Sequence, residues 1–240
     1  MPNRLSLILI LAASAALVIS LALAESALGA PVTKITFQKG EVFVASGKNG
    51  PWIELRKGVT IAEGKFIKTA KDGVVELTLP DNSILRLAPN TLFKLNQAFF
   101  PKKKPIDFFC RVFLGTIWAK VTKAFGHLRG TFNIQTPTAV AGVRGTAYNL
   151  KVASNKSTVI SVYEGKVGVQ PPLIVEGGPK EKIEWPVQVS EKKWEEIILR
   201  QFQRLHIGPD GRPGKPGSFD PEQEKDKWVI WNQGRDANQR

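Results

Sequence analysis

Arg144 is the single charged side chain in a stretch of small and stiff residues that runs from Thr136 to Thr146. Its guanidinium presents five donors in a rigid fork. Gly142 and Gly145 flank it without a Cβ, so backbone or ligand can come close. Two chemistries follow. Buried, the arginine pins a loop to carbonyls or to a carboxylate, because a buried charge has to be paired; Glu164 is the candidate counter-ion. Exposed, it grips an anion or a partner peptide. A second cationic set is Lys102, Lys103 and Lys104, bracketed by Pro101 and Pro105 with phenylalanine pairs outside. The prolines forbid a regular helix or a central strand there. The set is either a solvated loop tip or a basic, aromatic-edged tip that rests on an anionic surface.

Constellations for catalysis are few. His127 and His206 are the only histidines and Cys110 the only cysteine, which leaves no cluster at metal-ligand spacing. No Gly-x-Ser-x-Gly elbow, phosphate-binding Walker loop or dinucleotide fingerprint occurs. Asp72 with Glu76, Asp81 and Glu164 could supply an acid–base pair for glycan hydrolysis if two of them faced each other roughly 5 to 9.5 Å apart. Each also fits a turn or a strand surface. Gly142-Val-Arg-Gly145 matches the GxxG loop of KH nucleic-acid modules, but that loop joins two helices, and the flanks here read as strands. The expectation is therefore no catalytic, cofactor or metal site and no nucleic acid. Cys110 is expected to be a buried small hydrophobe.

The elements that must position these residues are short strands. From Pro31 to Gln170, apolar residues alternate with polar ones between turn clusters such as Gly47-Lys-Asn-Gly-Pro51 and Pro80-Asp81-Asn82. A glycine, one residue, then a large apolar side chain recurs at Gly40/Val42, Gly64/Phe66, Gly73/Val75, Gly115/Ile117, Gly130/Phe132 and Gly165/Val167. The glycine allows a corner, and the apolar residue points inward from the next strand. The fold class is all-β: a short β-roll or β-solenoid, or a β-sandwich, of many short strands. Residues 171–189 form a linker. Ser190 looks like an N-cap, and Trp194, Ile197, Ile198, Phe202 and Leu205 follow at helical spacing, which predicts a C-terminal amphipathic helix over 190–206. His206 would end it. Residues 207–240 complete the chain as a Gly/Pro linker and a tail whose Trp228, Val229, Ile230 and Trp231 either pack back on the body or form a contact motif.

Residues 1–24 read as a signal peptide: Arg4, an apolar run, and Ala22-Leu23-Ala24 before Glu25. The run is close to the ~20 residues that span a bilayer, so an uncleaved anchor is the alternative. Both place the remainder outside the cytoplasm, in the periplasm or secreted. The net charge of +13 favours anionic neighbours by steering.

Thr136-Pro-Thr-Ala-Val-Ala-Gly-Val-Arg-Gly-Thr146 followed by Ala147-Tyr148 resembles the hallmark of the FecR domain family. Gly40-Glu-Val-Phe-Val, Trp52-Ile-Glu-Leu, Gly58 to Gly64, Ile67-Lys-Thr69, Leu79 to Asn90, Gly115-Thr-Ile-Trp118 and Val162 to Val169 fall in that family's order, over roughly residues 38 to 170. The resemblance implies an outer domain that meets other envelope proteins and relays their state. Only Met1 to Arg4 precede the apolar run, so the cytoplasmic sigma-factor arm of the family's transmembrane members is not expected here. The expected function is a non-enzymatic, extracytoplasmic binding or scaffold module. Its partners would be envelope proteins, or anionic lipid, lipopolysaccharide or acidic polysaccharide. Arg144, Gly142, Gly145 and Lys102 to Lys104 are the binding candidates. A carboxylate-based cell-wall glycan hydrolase is the third reading.

Overall fold

The structure, a computed structural model, describes residues 33–101, 105–122, 130–143, 145–172, 197–223 and 226–238. Strands numbered along the chain fall into two sheets. The first runs β4 (Thr60–Ile61), β1 (Thr33–Lys39), β6 (Val74–Thr78), β7 (Ile84–Leu87), the second half of β9 (Asp107–Lys120), β12 (Ala147–Val152), β13 (Thr158–Glu164), β16 (Gln203–Ile207) and β17 (Gly217–Ser218). The second runs β3 (Ile53–Glu54), β2 (Val42–Ala45), β5 (Phe66–Thr69), β8 (Leu92–Phe99), the first half of β9, β10 (Thr131–Gln135), β11 (Val140–Val143), β14 (Lys166–Gln170) and β15 (Ile197–Arg200). Pairing is antiparallel except between β9 and β10. Strand β9 sits in the middle of both sheets and joins them into one continuous 17-stranded sheet.

From β5 onward, position in each sheet advances with position in the chain. The chain shuttles between the two sheets while moving in one direction, as a solenoid does. The inner faces share one core, as in a sandwich: Leu77, Leu85, Leu87 and Ile117 from the first sheet meet Ile67, Phe93, Leu95 and Phe108 from the second. Both architectures foreseen from the sequence describe part of this fold, and the sheet is not a closed barrel.

The recurring glycine marks the crossings. Gly40, Gly64, Gly73, Gly115 and Gly165 each stand where the chain leaves one sheet for the other. The apolar residues two places on, Val42, Phe66, Val75, Ile117 and Val167, are all buried. At Gly115, inside β9, φ is +98°, and a Cβ would stand 2.5 Å from Thr91 Cα. That residue bends the longest strand and hands it from one sheet to the other. It also resets the pleat: Phe108, Cys110 and Val112 point inward before it, Ile117 and Ala119 after it.

The C-terminal region departs from expectation. Residues 197–206 are not helical. They form β15 and β16, which pair with β14 and β13. Leu199, Leu205 and Ile207 are buried, whereas Ile198 and Phe202, both assigned to the apolar stripe, are exposed. Two open strand edges outcompete an isolated helix, and Phe202 adopts φ +60°, which a helix interior does not allow. His206 accordingly lies exposed on a strand. Ser190 and Trp194 lie outside the described residues. The helix is instead α1, Lys227–Ala237, within the supposed tail. Asp226 caps it by accepting the Trp228 amide at 2.8 Å.

Candidate functional site

Of the binding candidates named from sequence, Arg144 and Lys102, Lys103 and Lys104 lie outside the described residues, as does His127. Gly142 is on β11 at the outer face of the second sheet, where a Cβ would meet Asn133 Oδ1 at 3.2 Å. Gly145 has φ +62°, and its carbonyl lies 2.5 Å from where a Cβ on Gly165 would stand. The rest of the hallmark stretch is a buried corner. The Thr136 hydroxyl accepts from the amides of Thr138 and Ala139 and from the Thr158 hydroxyl, at 3.2, 2.9 and 2.9 Å. The Thr136 hydroxyl thus satisfies two backbone amides that a turn between β10 and β11 would leave unpaired. The described part of this motif shapes the fold.

The outer face of the first sheet carries one transverse row in register: Phe37, Glu76, Arg86, Trp118, Asn149, Ser161 and Arg204, one from each of seven adjacent strands. Helix α1 lies on it. Arg86 Nε donates to Glu76 at 2.6 Å, and its Nη1 donates to Asp236 at 2.6 Å and to Asn232 Oδ1 at 3.2 Å. The Arg86 side chain is completely buried. Trp118 Nε1 donates to the other Asp236 oxygen at 2.9 Å, Lys120 reaches the Asp236 carbonyl at 3.0 Å, and Trp228 Nε1 donates to Asn149. Arg235 closes the end by binding Glu76 at 3.2 Å and stacking on Phe37 and Trp231. Burial alone would raise the Glu76 carboxyl. Hydrogen bonds from Arg86 and Thr36, with the charges of Arg86 and Arg235, outweigh it and hold the group below its ordinary range. The arrangement keeps Glu76 an anion, unsuited to donate a proton as a general acid, and it locks a helix onto a sheet.

The other carboxylates weighed from sequence do not converge. Asp81 accepts from the amide and hydroxyl of Ser83, and Asp72 faces the amide of Glu41. Glu164 is exposed at the end of β13. Cys110 is buried in the core, as its type suggested, and burial pushes its thiol well up.

The outer face of the second sheet has the opposite character. It interleaves cations with aromatic rings. Lys68 Nζ lies 4.7 Å from the Trp52 ring and 5.6 Å from Phe43. Lys94 lies 4.9 Å over Phe66, which stacks on Phe113, and Lys48 covers Phe113 at 4.9 Å. Arg111 lies 5.6 Å over Phe109. Sequence reasoning looked for basic runs and missed this set. Its signal was the alternation Phe66-Ile-Lys68 and Phe109-Cys-Arg111-Val-Phe113, which puts cations and rings on the same face.

Residues 65–168 match the model of the family described as FecR protein. Two crystal structures of a candidate anti-sigma factor from Parabacteroides distasonis, at 1.65 and 2.50 Å resolution, share the fold. Each is 18% identical with a TM-score of 0.50 over 70% of this chain. This chain spans 65% and 64% of the length of those two chains. No curated protein matches. The FecR resemblance read from sequence therefore stands over residues 65–168. Among the described residues, no helix is long and apolar enough to cross a membrane.

Proposed function

We propose, for a chain whose residues 65–168 match the FecR family, that it is a non-enzymatic, extracytoplasmic module that binds envelope proteins or anionic envelope surfaces. One observation supports this most: the two outer faces are treated differently. The first is occupied by the chain's own helix, with its charges neutralised internally. The second presents cations over half-buried rings. A rigid β-stack with one face spent on stability and one left basic suits recognition, with charge setting the rate and selectivity of encounter. Arg144 with Gly142 and Gly145, and Lys102 to Lys104, remain the proposed contact residues of this reading. Carboxylate catalysis is the weaker alternative, because Glu76, the most buried of the acids considered, is held ionised.

The test is retention of an envelope-membrane extract on the immobilised full chain. Specific proteins or anionic components should be retained in low salt and reduced in high salt, and a Lys102→Gln/Lys103→Gln/Lys104→Gln variant should retain less. An extract that passes through unretained at low salt would refute the reading. Measurable turnover of purified cell-wall glycan would refute its non-enzymatic part.

A further inference from the structure

We propose that the outer face of the second sheet is a binding site for an acidic polysaccharide, with Lys68, Lys94 and Arg111 pairing its carboxylates and Trp52 and Phe43 stacking on its sugar rings. This rests on the function proposed above and names the ligand class of that face.

Three observations carry it. First, among the described residues none of the three cations has an ion-pair partner: Glu54 pairs with Arg56, Glu63 accepts from the Ala98 amide, and Asp107 accepts from Gln97 and Thr131. Second, Lys94 and Arg111 are direct cross-strand partners. Like charges placed opposite each other destabilise a sheet, and an anion lying between them removes the penalty. Among the described residues the buried Arg111 Nε makes no hydrogen bond, so a donor stands ready for an acceptor. Third, the rings beneath these cations are buried or half-buried: Phe66 is buried, and Phe43, Trp52, Phe109 and Phe113 are partly covered. Phe43 pairs with Lys68 and Phe66 with Lys94 in register, so rings and cations alternate from β2 to β5 and from β5 to β8, with Arg111 beside Lys94 on β9. Strand spacing makes that face about 14 Å wide, a few sugar residues. An acidic polysaccharide alternates in the same way, with apolar ring faces and carboxylates along one chain. A lipid surface would call instead for apolar tips that project outward. Lys68 is exposed and held weakly on its rings, so it can swing to a carboxylate and uncover Trp52 and Phe43.

Titration calorimetry of the full chain tests this, with polygalacturonate, neutral dextran and phosphatidylglycerol vesicles as probes. Polygalacturonate should bind saturably, and dextran should not. Lys68→Gln/Lys94→Gln/Arg111→Gln should weaken binding by about tenfold or more at low salt. Trp52→Ala should weaken it several-fold without changing the salt dependence. Lys68→Gln alone, at an exposed position, should give a smaller loss in the same direction, and thermal melts of all variants identify any unfolding. Equal affinity of wild type and the exposed Lys68→Gln and triple variants overturns the proposal. So does tighter binding of vesicles through the same side chains, which would identify a lipid surface. An unaltered Trp52→Ala affinity removes the stacking and overturns the polysaccharide assignment. If polygalacturonate fails while envelope components are still retained, this inference falls and the proposed function survives; if neither binds, both fall.

Discussion

Arg86 and Asp236 meet at 2.6 Å although 150 residues of chain separate them. The contact joins a strand in the middle of the first sheet to the last helix. Arg86 is wholly buried and Asp236 nearly so. Removing either partner strands a charge in a dry site. Asp236→Ala should destabilise the protein by about 3–5 kcal/mol in urea unfolding. Arg86→Leu should cost a similar amount by unpairing Glu76 as well as Asp236. The double variant should lose clearly less than the sum. Additive losses would show that the two side chains act separately.

The same cluster makes acid stability depend on Glu76. Its native pKa lies below the ordinary value, so the unfolded chain takes up the proton first as pH falls. The contribution is complete above the usual glutamate range of about 4.3 and is lost as pH drops through the depressed native value. Glu76→Gln should start less stable at neutral pH and show a flatter decline between about pH 5 and 3. Unfolding free energies measured across that range decide it, and an unchanged slope argues against an ionised Glu76.

Gly115→Ala should cost more than ~1 kcal/mol, from the strain of a positive φ added to collision with Thr91. Gly58 also has a positive φ, +93°, but open space around its would-be Cβ. Gly58→Ala should therefore cost less. Comparing the two melts separates collision from backbone strain. Equal losses would mean that the close approach of β9 to Thr91 is unimportant.

Cys110 should resist a thiol reagent in the native protein and react fully in denaturant, because burial excludes the reagent and suppresses the thiolate. Rapid native labelling would show that the core opens between the sheets.

Legibility followed the range of the physics. Strand periodicity and glycine corners depend on neighbours one or two residues away. The sequence accordingly displayed the all-β class, the corners at Gly40, Gly64, Gly73, Gly115 and Gly165, the burial of Cys110 and the family order. Spacing alone misassigned 197–206, because Ile197, Ile198, Phe202 and Leu205 suit a helix locally, and only the unpaired edges of β13 and β14 could make strands of them. Arg86 lies between Leu85 and Leu87, the alternation that any strand-surface cation shows. Its partner Asp236 belonged to what read as a tail, and no local pattern reports a contact formed across 150 residues.

The second sheet's face divides in the same way. That Phe66 and Lys68, or Phe109 and Arg111, share a side was implicit in two-residue alternation. That Lys94 stands opposite Arg111, and Lys68 between Phe43 and Trp52, was decided by strand order and register. Alternation is a property of each segment. Register is set when segments bury their inner faces together, because a slip of one residue would turn Phe93, Leu95 and Cys110 out of the core.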